Sequence, residues 1–357
     1  MKPSAKTSRN AVATDHRALL RTGAGFIDVR APVEFAKGAL PGAINLPILN
    51  DSERAAVGTR YRQRDQQAAV TLGEELVSGD VRAGRIWAWV AFARSHPQCT
   101  LYCARGGLRS RIAQAWLAEA GTLVPRVEGG FKALRQFCLR TIDEMAASLK
   151  LIVVGGRTGS GKTAVLAHAP ASLDLERLAN HRGSAFGERP SPQPPPIGFE
   201  NALAVEMLRL AAPGTTVALE DESRQIGRLA VPATLYQAMQ AAPIVVIEAS
   251  LDARVENILT EYVLEAPNPH EHLPASFARI RKRLGGARHQ EIGELLTTAL
   301  TQGDPDLHRH WIRRLLTDYY DPMYDYQIAA KQDRIVYRGD ANAVAGYLRG
   351  CAVEMAR

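Results

Sequence analysis

The chain has 357 residues, 46% hydrophobic, 23% charged and 6% aromatic, the balance of a water-soluble globular protein with room for two or three domains. Four cysteines in so long a chain exclude a disulfide-stapled secreted scaffold and predict a reducing, cytoplasmic setting; the polar first sixteen residues lack the apolar core of a secretory signal, and no apolar run reaches the roughly 18 residues of a membrane span. Lys and Arg (44) outnumber Asp and Glu (37), and the formal charge of +7 points to a polyanionic partner such as nucleic acid.

Short β-branched runs at 25–29 and 100–103 read as buried strands, and the segment 110–120 carries apolar residues at helical spacing. A helical stretch over 137–150 leads to fresh strands at 151–156, 215–220 and 243–249, with a helix at 200–210 between the first two. Such alternation predicts parallel α/β architecture, divided into residues 1–140 and 141–357. The segment 189–198 holds five prolines and reads as a loop or linker, either constitutive or ordered by substrate. From Ala253 onward the pattern is mostly helical, including 275–284 and 307–320.

Cys103 ends a strand and is followed by ARGGLRS and then a helix. That order places a thiol beneath a ring of backbone N–H groups from Arg105, Gly106 and Gly107. A helix N-terminus stands behind it, with Arg109 and the Ser110 hydroxyl nearby, a setting that favours a thiolate and an oxyanion ligand. Cys99, Cys138 and Cys351 have no such surroundings and read as packing residues. Together with DVRAPVEFAKGALPGAINLP (28–47) and RVEGGFKALR (126–135), the loop resembles that of a rhodanese domain. Its Cys-x5-Arg spacing is one residue longer than the common sulfur-carrying form. A longer loop makes a wider ring of donors suited to a tetrahedral oxyanion, as in the phosphatases that share the fold.

GRTGSGKT (156–163) follows a strand and opens a helix, the context a P-loop requires. Gly156, Gly159, Ser160 and Gly161 let successive N–H groups face a phosphate, Lys162 supplies a point charge, and Thr163 offers a hydroxyl to Mg²⁺. The ligand is either a nucleotide or another diphosphate. Glu220 and Asp221 read equally as metal-holding carboxylates and as a solvated turn. RIRKR (279–283) with Arg288 and His289 is the densest basic run, and Tyr319, Tyr320, Tyr324 and Tyr326 either stack on bases or belong to a core.

A rhodanese domain followed by a P-loop domain, with the stretches NDSERAAVGTRY, LANHRGSAFG, GFENALA, LEDESRQIG and YYDPMYDYQ, resembles the tRNA 2-selenouridine synthase family over most of the length. The resemblance implies a two-step exchange at the wobble 2-thiouridine of tRNA. Sulfur takes a geranyl group from geranyl diphosphate, and selenium from selenophosphate then replaces the geranylated sulfur, with Cys103 as selenium carrier. The P-loop would hold geranyl diphosphate in place of ATP, and no tightly bound cofactor is implied. Residues carried by matching segments are Asp28, Arg30, Glu34, His181, Arg182, Asn201, Glu220, Asp221, Glu222, Ser223 and Arg224. Implied partners are thiolated tRNA and a selenophosphate-producing enzyme, without a membrane. Without the resemblance, a plain sulfurtransferase, a Cys-x5-Arg phosphatase and a P-loop kinase or ATPase with a regulatory rhodanese module all remain open. Residues 1–150 carry 22 basic and 13 acidic side chains against 22 and 24 in the rest, so the basic excess lies on the half that holds Cys103.

Overall fold

The computed structural model describes residues 10–210 and 215–354. They form two compact units: the chain up to Ile142 with Pro194–Arg209, and Asp143–Gln193 with Leu210 onward. No helix among the described residues is long and apolar enough to cross a membrane.

The first unit is built on a parallel sheet of β1 (Val12–Ala13), β2 (Phe26–Asp28), β3 (Ala43–Asn45), β4 (Thr100–Tyr102) and β5 (Arg126–Val127), in the order β1-β5-β4-β2-β3. Successive connections from β2 run to opposite sides, to β3 and to β4, so a switch point lies between the carboxyl ends of β2 and β4. β2 and β4 are buried throughout, as expected for strands covered on both faces. Ile27, Val29, Leu101, Trp89, Ala113 and Leu117 pack into one core. The helix Asp51–Gln63 starts at a reciprocal cap, in which Asn50 Oδ1 accepts from Glu53 N–H (2.9 Å) and Glu53 Oε2 accepts from Asn50 N–H (2.8 Å). Glu53 also binds Arg85 at 2.7 Å, which fixes this helix although it buries no residue of its own.

At the end of β2 the carboxylate of Asp28 and the guanidinium of Arg30 form a buried ion pair at 2.6 Å. Arg30 also donates to Gly38 O at 3.0 Å and lies 3.7 Å over the Phe131 ring. Asn45 donates to the carbonyls of Asp28 (3.0 Å) and Arg30 (2.8 Å), so β3 holds the same turn from the other side.

The second unit centres on β6 (Lys150–Gly156), β7 (Ser172–Leu173), β8 (Thr216–Glu220), β11 (Ile244–Ile247) and β12 (Ile335–Gly339), all parallel in the order β12-β11-β6-β8-β7. A hairpin of β9 (Gln225–Ile226) and β10 (Leu229–Ala230) stands apart from it. Here the switch point falls at the carboxyl end of β6, between β8 and β11. A second apolar cluster, including Val255, Leu273, Phe277, Ile292, Trp311 and Leu316, is made entirely by helices.

Several sequence expectations need correction. The helix at 200–210 begins earlier, at Pro196, whose missing N–H costs nothing in a first turn, so the end of the proline-rich segment is helical. That helix belongs to the first unit and not to residues 141–357, because Ile197 packs on Gly38 and Asn201 is buried against Ala39. The stretch 275–284 is two helices, Pro269–Arg279 and Arg281–Leu284, and 307–320 ends in a π-helical turn, Leu316–Tyr320. β12 interrupts the supposedly helical C-terminal region; as an edge strand only partly covered, it carries only a short apolar run. Substitution Asp28→Ala leaves Arg30 charged and buried, and is expected to cost about 3–5 kcal/mol of unfolding free energy in urea titrations; a loss below about 1 kcal/mol would place the pair among solvated ones.

Candidate functional site

Cys103 is the first residue after β4, at the switch point, and the helix Leu108–Glu119 begins four residues beyond Ala104. Four carbonyls of the connecting loop are engaged. Cys103 O and Ala104 O accept from Phe131 and Lys132 N–H (2.9 Å each), Gly106 O from Arg126 (3.4 Å), and Gly107 O from the Ser110 hydroxyl (3.0 Å). The N–H groups of Ala104 to Gly107 meet no acceptor among the described residues and form the free side of the loop. Gly130 makes this packing possible: a Cβ there would lie 2.3 Å from Cys103 O and 2.4 Å from Gly106 N. Cys103 is buried at the base, with Sγ 3.3 Å from Ser110 Oγ. By contrast, burial pushes the Cys99 thiol up to about 11 and Cys138 to about 12, which suits inert packing.

Arg109 makes a two-pronged pair with Glu34 at 2.5 and 3.1 Å, and Arg54 adds a contact at 3.2 Å. Burial alone would raise the Glu34 carboxyl; Arg109, the Ala31 N–H and Arg54 overcome it and hold the group down to about 2. Glu34 therefore fixes the arginine at the loop's rim, while Asp28 and Arg30 hold the strand end behind it. Arg105 is exposed and lines a cleft of about 900 Å³ that opens beside the loop. Its walls include Ile48, Val57, Val70, Ile112 and Trp116, and Arg54, Arg62, Arg105 and Arg109 stand in its lining. The sequence reading missed this cleft because Val57 lies on a polar helix that buries no residue, and its facing of Val70 on the next helix is a tertiary contact.

The P-loop follows β6 and precedes the helix Lys162–Ala167. Gly159 and Gly161 have φ of 81° and 83°, and a Cβ at Gly159 would meet Arg254 O at 2.8 Å. Lys162 Nζ donates to Gly156 O at 3.1 Å and lies 5.7 Å from the Tyr324 ring centre. Ser160 Oγ is buried without a partner, and Thr163 is exposed. Bracing residues were not legible in the motif: Asn257 donates to Gly159 O (2.8 Å), and buried Arg254 reaches Thr158 O (3.4 Å) while paired with Asp321 (2.6 Å).

The carboxylates after β8 are engaged within the protein. Asp221 is paired with Lys331 at 2.6 Å, Glu220 is fully buried and accepts from Leu175 N–H at 3.1 Å, and burial raises its carboxyl well above the usual range. Burial also pushes Glu222 up to about 8, the neighbouring Glu176 carboxylate adding to the effect and Lys162 opposing it. No group of three His, Cys, Asp or Glu that could hold a metal ion occurs among the described residues. The backbone of Gly183 donates to Glu176 at 2.6 Å, which ties the polar segment of His181 and Arg182 to the same acidic pair. His181 is buried, which lowers its imidazole, and Arg182 pairs with Glu261 at 2.7 Å and covers the Tyr262 ring at 4.6 Å. Ser223 closes a turn onto Gln225 O (2.6 Å), and Arg224 is exposed. Asn201 stands apart from these residues, in the first unit, where it accepts from Arg135 at 3.1 Å. Of the basic run, Arg279 is paired with Glu188 at 2.6 Å and His289 is stacked on Phe277, while Tyr320 is core and Tyr326 is open to solvent.

A parallel sheet with a cysteine loop, followed by one with a P-loop, defines a two-domain α/β protein with two separate oxyanion cradles. Residues 12–136 match the rhodanese-like domain and residues 149–354 the tRNA 2-selenouridine synthase AAA domain. The chain belongs to the tRNA 2-selenouridine synthase family. The proteins of that name from Hahella chejuensis (49% identical, 93% of this chain and 93% of the relative), Cupriavidus necator (51%, 94% and 96%) and Pseudomonas putida KT2440 (49%, 96% and 98%) are similar over nearly their full lengths.

Glu222 yields a test of the acidic pair. With its pKa raised in the folded state, its contribution is fully present below about 4.5 and is lost as pH rises through about 8. Stability to urea is expected to fall over that interval, and Glu222→Gln should flatten the fall; an unchanged profile would remove Glu222 as its source.

Proposed function

We propose that the protein converts 2-thiouridine at the tRNA wobble position to 2-selenouridine by S-geranylation followed by selenium exchange, one step at each cradle. The observation that carries this reading is the pair of separate oxyanion loops, each with its own cation: Arg109 at the first and Lys162 at the second. In the first step the thiocarbonyl sulfur attacks C1 of the geranyl chain. A carbon–sulfur bond forms, the C1–oxygen bond breaks, diphosphate leaves, and the N3 proton passes to solvent. Fixed N–H dipoles and Lys162 stabilise the charge gathering on the leaving diphosphate. In the second step reduced selenium derived from selenophosphate adds at C2, and the alkylated sulfur departs as geranylthiol, taking a proton. Alkylation is needed because a bare thiocarbonyl sulfur is a poor leaving group.

The cleft beside the Cys103 loop has the volume of a small-ligand site and an apolar lining suited to a prenylated base. Exposed Arg60, Arg62 and Arg64 on and beside the helix Asp51–Gln63 offer contacts for RNA phosphates. A plain sulfurtransferase leaves the P-loop without a task, and a P-loop kinase with a regulatory rhodanese module leaves the Cys103 thiol without a chemical step.

Incubation with thiolated tRNA, geranyl diphosphate and selenophosphate should give 2-selenouridine on nucleoside mass spectrometry. Cys103→Ala should stop at S-geranyl-2-thiouridine; loss of both products would make Cys103 structural, and a product formed only with ATP would favour a kinase.

A further inference from the structure

The form in which selenium leaves selenophosphate is constrained by electron count. Selenophosphate holds fully reduced selenium on pentavalent phosphorus. A Cys103 selenosulfide formed by thiolate attack on selenium would send the P–Se electron pair to phosphorus and release phosphite. Nothing in the protein or in the proposed reaction supplies the oxidant needed to avoid that product. Attack on phosphorus has no such difficulty.

Resting on the selenophosphate reading above, we infer that the Cys103 loop is a phosphoryl-transfer site, with Cys103 as phosphoryl acceptor and not a selenium carrier. The Cys103 thiolate attacks phosphorus, the S–P bond forms, the P–Se bond breaks, and selenium departs with its electron pair as hydroselenide, available for C2 of the base. Water then attacks the phosphocysteine, the S–P bond breaks, and orthophosphate and the thiolate are released. No oxidation state changes in either step. The substrate class is a phosphorochalcogenoate, a phosphate with selenium or sulfur in place of one oxygen.

The geometry fits phosphorus better than a bare chalcogen. A seven-residue loop turns the N–H groups of Ala104 to Gly107 to its free side, enough donors for the three oxygens of a transferring phosphoryl group. A lone selenium atom on sulfur would leave those donors without acceptors. Arg109 is held at the rim by Glu34, which takes both arms of its guanidinium (2.5 and 3.1 Å) and leaves its positive charge and remaining N–H groups beside the loop for a phosphoryl anion. Ser110 lies behind the sulfur. Its hydroxyl now donates to Gly107 O at 3.0 Å and stands 3.3 Å from Sγ, so a small rotation turns it to donate to the thiolate. That is the bond required when sulfur is the leaving group of the hydrolytic step, and it has no task in a selenium carrier.

The test uses the full-length protein with selenophosphate and no RNA, quenched in denaturant, digested, and analysed at the Cys103 peptide. Phosphoryl and selenium adducts have nearly the same mass but differ in isotope envelope, and only selenium is removed by dithiothreitol. The expected adduct is monoisotopic, resistant to dithiothreitol, and longer lived in Ser110→Ala, where loss of the hydroxyl slows its hydrolysis about 10²-fold. A dithiothreitol-labile adduct with the selenium envelope overturns the inference. So does an unmodified Cys103 in both proteins when the same preparations form 2-selenouridine on S-geranylated RNA. Failure to form 2-selenouridine on that RNA at all would instead sink the selenophosphate reading on which the inference rests.

Discussion

The structure depends on one constraint: a backbone loop between a buried parallel strand and a helix can turn its N–H groups outward only if something else takes its carbonyls. In the first unit, Phe131, Lys132, Arg126 and Ser110 take them, and Gly130 allows the approach. In the second, Lys162, Asn257 and Arg254 hold Gly156, Gly159 and Thr158. Both loops lie at the switch point of a parallel sheet, where the topology leaves a crevice in which ligands commonly bind.

Charged groups set how firmly each cradle is held. Asp28 and Arg30, buried together, lock the strand end that faces the cysteine loop, and Glu34 fixes Arg109 above it. Near the P-loop the opposite device operates. Burial, with the Glu176 carboxylate adding to it, pushes the Glu222 carboxyl up to about 8.

Much of this was readable from residues. The two loops, the strand before each and the placement of Cys103, Arg109, Ser110 and Lys162 followed from glycine spacing and β-branched runs, because these are local requirements of the backbone. What could not be read was long-range. Asn201 lies in the second half of the chain but is buried in the first unit, and nothing in GFENALA distinguishes a helix that returns to an earlier sheet. Asp221, a candidate metal carboxylate by position, is neutralised by Lys331, 110 residues away. The cleft of about 900 Å³ is lined by Val57, Val70 and Trp116 from three different helices, which only the tertiary fold brings together. β12 offers only the short apolar run Ile335–Val336–Tyr337 between polar residues, and its alternating half-burial at the sheet edge shows only in the fold.

On the proposed reading, the loop that carries Lys162 makes the base sulfur a leaving group and the loop that carries Cys103 supplies its replacement. The central claim is that these are independent tasks. The most direct measurement is single-turnover conversion of RNA that already carries S-geranyl-2-thiouridine, with selenophosphate, by the Lys162→Ala protein. The account predicts 2-selenouridine at the parent rate, although the same variant fails to act on 2-thiouridine RNA supplied with geranyl diphosphate. If Lys162→Ala is equally inactive on the pre-geranylated RNA, the P-loop serves the selenium step as well, and the division of labour is wrong.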